Sequence, residues 1–345
     1  MSLGAGVASR ARGRRHGVVT IGLAAVLAGC GGGGGGSSPA TLDAGNAVAI
    51  SAEVLQSMQV VGDLGISSGG ALGQAGPAGG AEAQRLRNLS RRTIQQLRPS
   101  IAVGPVTEPC IVSGTVRFSG NVANPDTLST GDSISATFSN CNDGDGEVVT
   151  GGLRLVVLQY AGDLLSDQFS LRADATFTNL RVTVAGETFG ADGLARIELD
   201  TLSLPNTSSI SGAGVTATIG SDRRTLADFA IDVVANPLPV PSTTQVSGTG
   251  TLQSNGFSGF VDFVTIFPLQ AAGSSYPGSG EVEILGAGNA RIRVVILDAT
   301  NVEVRLDLDG NGSAEEVIAT TWAALEGIAP GAGVVVYCIC GGVRP

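Results

Sequence analysis

The chain contains no lysine and a single histidine, His16; all twenty of its basic residues are arginine. His16 lies within an N-terminal leader, so the body of the protein has no imidazole and no side-chain amine. These absences remove Ser-His-Asp and Cys-His catalysis, His-ligated zinc, Schiff-base chemistry and the phosphate-binding lysine of a P-loop. The expectation that follows is a protein that is not an enzyme. Aromatic residues are also scarce, at 4%, with one tryptophan, Trp322. The longest apolar run of the leader, Val18 to Gly29, has twelve residues, too few to cross a bilayer as a helix.

What is abundant is glycine, with 52 residues, and carboxylate. Setting aside the leader's four arginines leaves sixteen against thirty Asp and Glu, a net charge of −14. From Glu108 onward the count is twenty-six acids against eleven arginines. Such a surface repels nucleic acid, which is excluded as a partner, and suits solubility or cation binding. The richness in Gly, Ser, Thr and Val points to strands and turns rather than to a helical bundle.

Arg10, Arg12, Arg14 and Arg15 form a cationic segment ahead of the apolar run, the layout of a secretory signal. The run ends Leu27-Ala28-Gly29-Cys30 and passes into six glycines, Gly31 to Gly36. Leu-Ala-Gly-Cys resembles the lipobox of bacterial lipoproteins. That resemblance implies a diacylglyceryl group on the Cys30 sulfur, cleavage before Cys30 and acylation of the new amino terminus. More than one acyl chain gives stable anchoring. Gly31, standing where an inner-membrane retention aspartate would be, implies the outer membrane; the membrane-facing side is left open. Residues 1–29 are then a signal peptide and 30–40 a flexible tether.

Residues 41–100 read as helices and a linker. Ala47, Ile50, Val54, Met58 and Val61 recur at helical steps, with Asp43 or Asn46 as N-cap and Gly62 as a stop. Residues 62–81 are Gly/Ala/Ser-rich. A second, cationic amphipathic helix is expected over 82–98, with Leu86, Leu89, Ile94 and Leu97 opposite Arg85, Arg87, Arg91, Arg92 and Arg98. From Ile111 the period changes to two, and runs at 111–119, 132–140, 147–159, 169–177, 180–184, 194–200, 211–219, 226–234, 246–253, 257–266, 281–285, 290–297, 301–308 and 315–322 read as strands. Turns are expected at 124–126, 143–144, 191–193, 277–278 and 309–312. The fold class is therefore mostly β: an antiparallel meander over 101–345, closing as a sandwich or barrel-like body and preceded by two N-terminal helices. Residues 279–325 stand out as a four-stranded sub-module with Trp322 anchoring its core. This body bears a weak resemblance to uncharacterised proteobacterial lipoproteins, which implies no activity.

With Cys30 acylated, four cysteines remain: Cys110, Cys141, Cys338 and Cys340. Export permits disulfides. Cys110 precedes one predicted strand and Cys141 closes the next, so a Cys110–Cys141 staple is expected. Cys338 and Cys340 share a strand face and form either a bridge or two thiols.

Asp307-Leu308-Asp309-Gly310-Asn311-Gly312 resembles the start of an EF-hand-like calcium loop. Asp307, Asp309, Asn311 and Ser313 have the spacing that begins an oxygen cage. The closing glutamate position is Ile318, so Glu315 or Glu316 has to substitute. The other reading is a plain hairpin turn in which Gly and Asn supply positive φ. A second acidic turn, 142–147, has the same ambiguity with less pattern. Glu281 and Glu283 on one strand face, and Asp262, are the carboxylates a glycoside hydrolase would require. Three functions remain: an outer-membrane lipoprotein whose β-rich, non-catalytic body binds or scaffolds an envelope partner; a calcium-stabilised surface or adhesion module; and a carboxylate-only glycoside hydrolase.

Overall fold

A computed structural model describes residues 38–64 and 105–328, apart from short breaks at 124–127, 145–146, 164–167, 185–186, 239 and 274–275. The leader, Cys30, the expected helix at 82–98, Cys338 and Cys340 lie outside the described residues.

Fourteen strands follow one another as an uninterrupted antiparallel meander. They are β1 (Val106–Pro109), β2 (Ser113–Asn121), β3 (Ser133–Asn142), β4 (Glu147–Asp163), β5 (Gln168–Val184), β6 (Glu187–Asp200) and β7 (Asn206–Ile219), then β8 (Asp222–Asn236), β9 (Thr243–Ser254), β10 (Phe260–Ala272), β11 (Ser279–Leu285), β12 (Arg291–Ile296), β13 (Asn301–Asp307) and β14 (Glu316–Thr321). Every strand pairs with its sequence neighbours, but β1 does not pair with β14, so the ladder is not closed as a barrel is.

What fills the concave side is α1 (Ala47–Leu64). It packs against β7, β8 and β9 and also against β12 and β13, strands that lie several positions apart in the sheet, so the sheet curls around it. A helix in that position needs no polar face. Ala47, Ile50, Ala52, Val54, Leu55, Met58 and Val61 are buried, and so are Ser51, Glu53 and Ser57. With Val48, Ala49, Gln56 and Gln59 half-buried and the other described side chains buried, the helix is a core element rather than a surface one. Its start is fixed by a reciprocal pair: the Asp43 N–H donates to Asn46 Oδ1 and the Asn46 N–H donates to Asp43 Oδ1, both at 3.0 Å. Gly62 does not stop it. The helix runs on to Leu64, because a helical glycine costs only about 1 kcal/mol and packing outweighs that. Gly248 on β9 allows a close approach: a Cβ there would lie 3.2 Å from Met58 Cε.

The long central strands bend along a transverse crease. Asn140, Asn179 and Asp228 have positive φ (50°, 45° and 45°) within β3, β5 and β8, and the pairing register shifts beside each of them. These are β-bulges, which bend and twist a strand without ending it. Glycines take the close positions across from them. A Cβ on Gly151 (φ 93°) would collide with the Asn179 carbonyl oxygen. The crease explains two departures from the sequence expectation. Residues 169–177 and 180–184 are one strand, β5, and the turn expected at 191–193 is the interior of β6. There the Asp192 carboxylate accepts from the Asn179 N–H at 2.5 Å and from Arg181 Nη2 at 3.2 Å, tying the bulge to the neighbouring strand.

The apolar faces of β2 to β6 belong to the same buried cluster as α1 and β7 to β13. Near the chain's end, β14 stops at Thr321 and Trp322 opens α2 (Trp322–Ile328) instead of ending the strand. Trp322 stacks on Tyr276 with ring centroids 5.5 Å apart and donates from Nε1 to the Pro277 carbonyl at 3.2 Å. Its indole is therefore a packing anchor with its one donor satisfied.

Candidate functional site

The acidic loop joins β13 to β14, flanked by strands. Carboxylate oxygens of Asp307, Asp309 and Glu315 all lie within 4.8 Å of one another. Asp307 is the last residue of β13 and is buried, while Asp309 and Glu315 are exposed. The loop's own amides orient these groups. Asn311 and Gly312 N–H donate to the two Asp307 oxygens at 3.0 and 2.8 Å, and Leu308 N–H donates to Glu315 Oε2 at 2.7 Å. The sequence position that would close an EF-hand-like cage, Ile318, pairs with Val304 within the sheet. Glu315 folds back over the loop instead.

Of the remaining residues in that pattern, Asn311 turns its amide to Asp309 (Nδ2 to Oδ2, 2.9 Å) and its Oδ1 to the Ser313 N–H at 2.7 Å. Three carboxylates with free lone pairs suit a hard cation. Six to eight oxygens are needed, so water would have to complete the shell around Asp307, Asp309 and Glu315.

The second acidic turn has a structural task. Asp143 Oδ1 accepts from the Ile111 N–H at 3.2 Å, and Asn142 Oδ1 from the Gly144 N–H at 2.8 Å. Asp143 lies beside the Cys110–Cys141 disulfide, whose Cα atoms are 5.4 Å apart. Oxidised sulfurs are not thiolate ligands, so this trio is a staple with a pinned loop. The bridge joins the residue after β1 to the end of β3, across the β2–β3 hairpin.

The carboxylates considered for glycoside chemistry are engaged in other contacts. Glu283 Oε2 lies 3.1 Å from Arg293 Nε and 3.7 Å from Arg291 Nη1, and Glu281 Oε1 lies 3.6 Å from Arg293 Nη1. They form part of a cross-strand charge ladder on the outer face of β11 to β13, with Val282, Ile284, Ile292 and Val294 buried on the other face. Asp262 accepts from Thr251 Oγ1 at 2.6 Å.

One polar cluster has no counterpart in the sequence reading. Glu53 of α1 places Oε2 2.6 Å from Arg224 Nε on β8, and both side chains are about 95% buried. Ser254 Oγ on β9 donates to the same carboxylate oxygen at 3.1 Å, and Arg224 Nη2 donates to Gln56 Oε1 at 3.0 Å. A signal was present. Glu53 is the only charged residue between Ala47 and Val61, so the helix has no charged face to give to water.

A further surface feature is the end of the sheet where β6 turns into β7 and β8 into β9. Thr201 to Pro205 carry no charge and expose Leu202 and Leu204, 50% and 57%; the β8–β9 connection exposes Leu238 and Val240, 60% and 89%. Because hairpin connections of a meander alternate between its two ends, these two lie at the same end. The described chain starts at the other end, where Pro39 bridges Phe260, the first residue of β10.

These features define a mostly β protein, an open antiparallel meander curled on a buried helix. No family model, curated protein or solved structure matches the chain.

Proposed function

We propose that the protein is an outer-membrane lipoprotein, anchored through a diacylglyceryl group on Cys30, whose body binds or scaffolds an envelope partner without catalysis. The observation that carries the binding half is the pair of uncharged hairpin tips, Leu202 and Leu204 beside Leu238 and Val240, on a chain of formal net charge −10. Exposed apolar side chains gathered at one end of a sheet suit a contact site. The packing of α1 against β7, β8, β9, β12 and β13 fills the concave side of the sheet with side chains, which suits scaffolding.

Two measurements test this. Mass spectrometry of the N-terminal peptide should find acylated Cys30, and Cys30→Ser should leave an unprocessed or mislocalised form. A photo-crosslinker in place of Leu204 or Val240 in living cells should capture an envelope component that one in place of Glu316 on β14 does not. Equal capture from all three positions removes the tips from the proposal.

A second reading, a calcium-stabilised surface module, is supported by the approach of Asp307, Asp309 and Glu315. Calcium there would fasten the β13–β14 connection.

A further inference from the structure

The two ends of the open ladder are not alike. β1 is four residues long and has β2 on one side only. The Cys110 N–H donates to the Gly114 carbonyl at 3.1 Å, one step past the Pro109–Thr115 pair. Main-chain groups of successive residues point to opposite sides of a strand, so Glu108 and Val106 face β2 while Thr107 and Pro109 face outward. Proline has no N–H, and Thr107 is then the one outward donor. This edge is short and blunted.

β14 is the contrary case. The Trp322 N–H donates to the Thr300 carbonyl at 3.1 Å, one step past the Asn301–Thr321 pair. The register from there to Glu316 is unbroken, so Thr320, Ile318 and Glu316 turn their main-chain groups to β13. Val317, Ala319 and Thr321 turn theirs outward. Among the described residues, nothing pairs with that side. The six residues of the strand hold no proline, lysine or arginine, and their one charge is Glu316 at the end. Val317 is 54% exposed, and Ala319 is exposed as well. Such an edge is a template for another strand, which natural proteins block where it is not used.

Self-complementarity selects the occupant. When two copies of β14 meet antiparallel, setting Ala319 opposite Ala319 puts Val317 opposite Thr321 and Ile318 opposite Thr320. Each outward residue then meets an outward residue, so all three find main-chain partners at once. The two Glu316 stand at opposite ends of the joint, and no like charges face each other. The axis passes between two alanines, the smallest side chains of the strand. The chain beyond Thr321 enters α2, which packs against α1. With only one unguarded edge per ladder, pairing closes at two copies instead of running on as a filament. We propose that a second copy of this chain adds its β14 antiparallel to this edge, so that two sheets join about a two-fold axis at Ala319. The joint does not depend on the anchor, the hairpin tips or the Asp307 loop, and a crosslink made from it joins two copies of the chain.

The test is sedimentation equilibrium of the full chain in density-matched detergent up to about 100 μM, where a complex of micromolar affinity is saturated. The native chain should reach twice the monomer mass. Ala319→Pro removes an outward donor and no bond to β13, so it should halve the mass and leave the thermal midpoint unchanged. If Ala319→Pro lowers the midpoint, Val317→Lys, which puts a charge on the exposed edge, should halve the mass in its place. Ala319→Cys should link to itself in oxidising buffer, because paired Cα atoms about 5.5 Å apart are within disulfide reach. A native chain that stays monomeric overturns the proposal, whether its β14 amides exchange freely or are protected by another segment. A dimer that survives both Ala319→Pro and Val317→Lys overturns it too, as does one in which Ala319→Cys does not link to itself.

Discussion

Glu53 and Arg224 meet at 2.6 Å, from a helix near the start of the described chain and a strand at its middle, with both side chains almost wholly buried. Removing one partner of a buried pair strands the other charge, at a cost of about 3–5 kcal/mol. Arg224→Met should therefore lower unfolding stability by about that amount, read from urea denaturation. Replacing both residues, Glu53→Leu with Arg224→Met, should recover most of the loss, because desolvation of the ions is then removed along with their attraction. A double variant as unstable as the single one would show that the pair does more than neutralise itself.

The Cys110–Cys141 bridge closes a loop across a sequence separation of 31 residues. Loop-closure entropy makes it worth about 3.7 kcal/mol. Cys141→Ser should lower stability by that order, and non-reducing peptide mapping should join Cys110 to Cys141. Recovery of both as alkylated free thiols would contradict the bridge, and a Cys110 link to Cys338 or Cys340 would demand another strand order.

At the β13–β14 loop, millimolar calcium should raise the melting midpoint, since an ion favouring the folded state stabilises it. The Asp307→Asn/Asp309→Asn variant should lose the shift. An unchanged midpoint in the native chain would return the loop to a turn held by its own amides.

The crease makes a prediction about glycine. At Gly151 a side chain meets the Asn179 carbonyl and φ is 93°, whereas at Gly131 φ is also 93° but nothing lies within 4 Å of a Cβ. Gly131→Ala carries only the left-handed backbone penalty, of order 1–2 kcal/mol. Gly151→Ala adds a backbone collision and should cost at least about 2 kcal/mol more. Equal losses by chemical denaturation would mean that the crease is not closely packed.

Asp298, in the β12–β13 connection, accepts from Asn301 Nδ2 at 2.9 Å and from the Thr300 and Asn301 amides at 2.7 and 2.8 Å. The Asn301 side-chain bond, followed by the two amides, holds its carboxyl below the ordinary 3.8. A depressed folded-state value contributes stability above the unfolded value and loses it as pH falls through the folded one. The relevant window therefore lies below about pH 4. Carboxyl-carbon NMR titration should place Asp298 under the ordinary value in the native chain and closer to it in Asn301→Ala. Coincident titrations would show that Asn301 has no effect.

Much of the body was legible because a half-buried strand alternates whatever lies beneath it. The runs read at 281–285, 290–297 and 301–308 correspond to β11 (Ser279–Leu285), β12 (Arg291–Ile296) and β13 (Asn301–Asp307). Errors clustered where local chemistry has two uses. Asp192-Gly193 looks like a turn because both a turn and a bulge need positive φ, and only the partner strand tells them apart. The short β1 (Val106–Pro109) was missed because four residues do not establish a period. The Asp307 loop was legible as a spacing, but the approach of Glu315 was not, since that requires the hairpin to close.

The sequence by itself determined the meander and the Cys110–Cys141 pairing, because strand period and turn residues are local properties. Only the tertiary structure decided that the ladder stays open, that α1 is wrapped by the sheet, and that Glu53 and Arg224 meet in the core. Those outcomes depend on how a bent sheet meets a helix distant in sequence, which is set by bulge positions and packing volume rather than by any one segment's pattern.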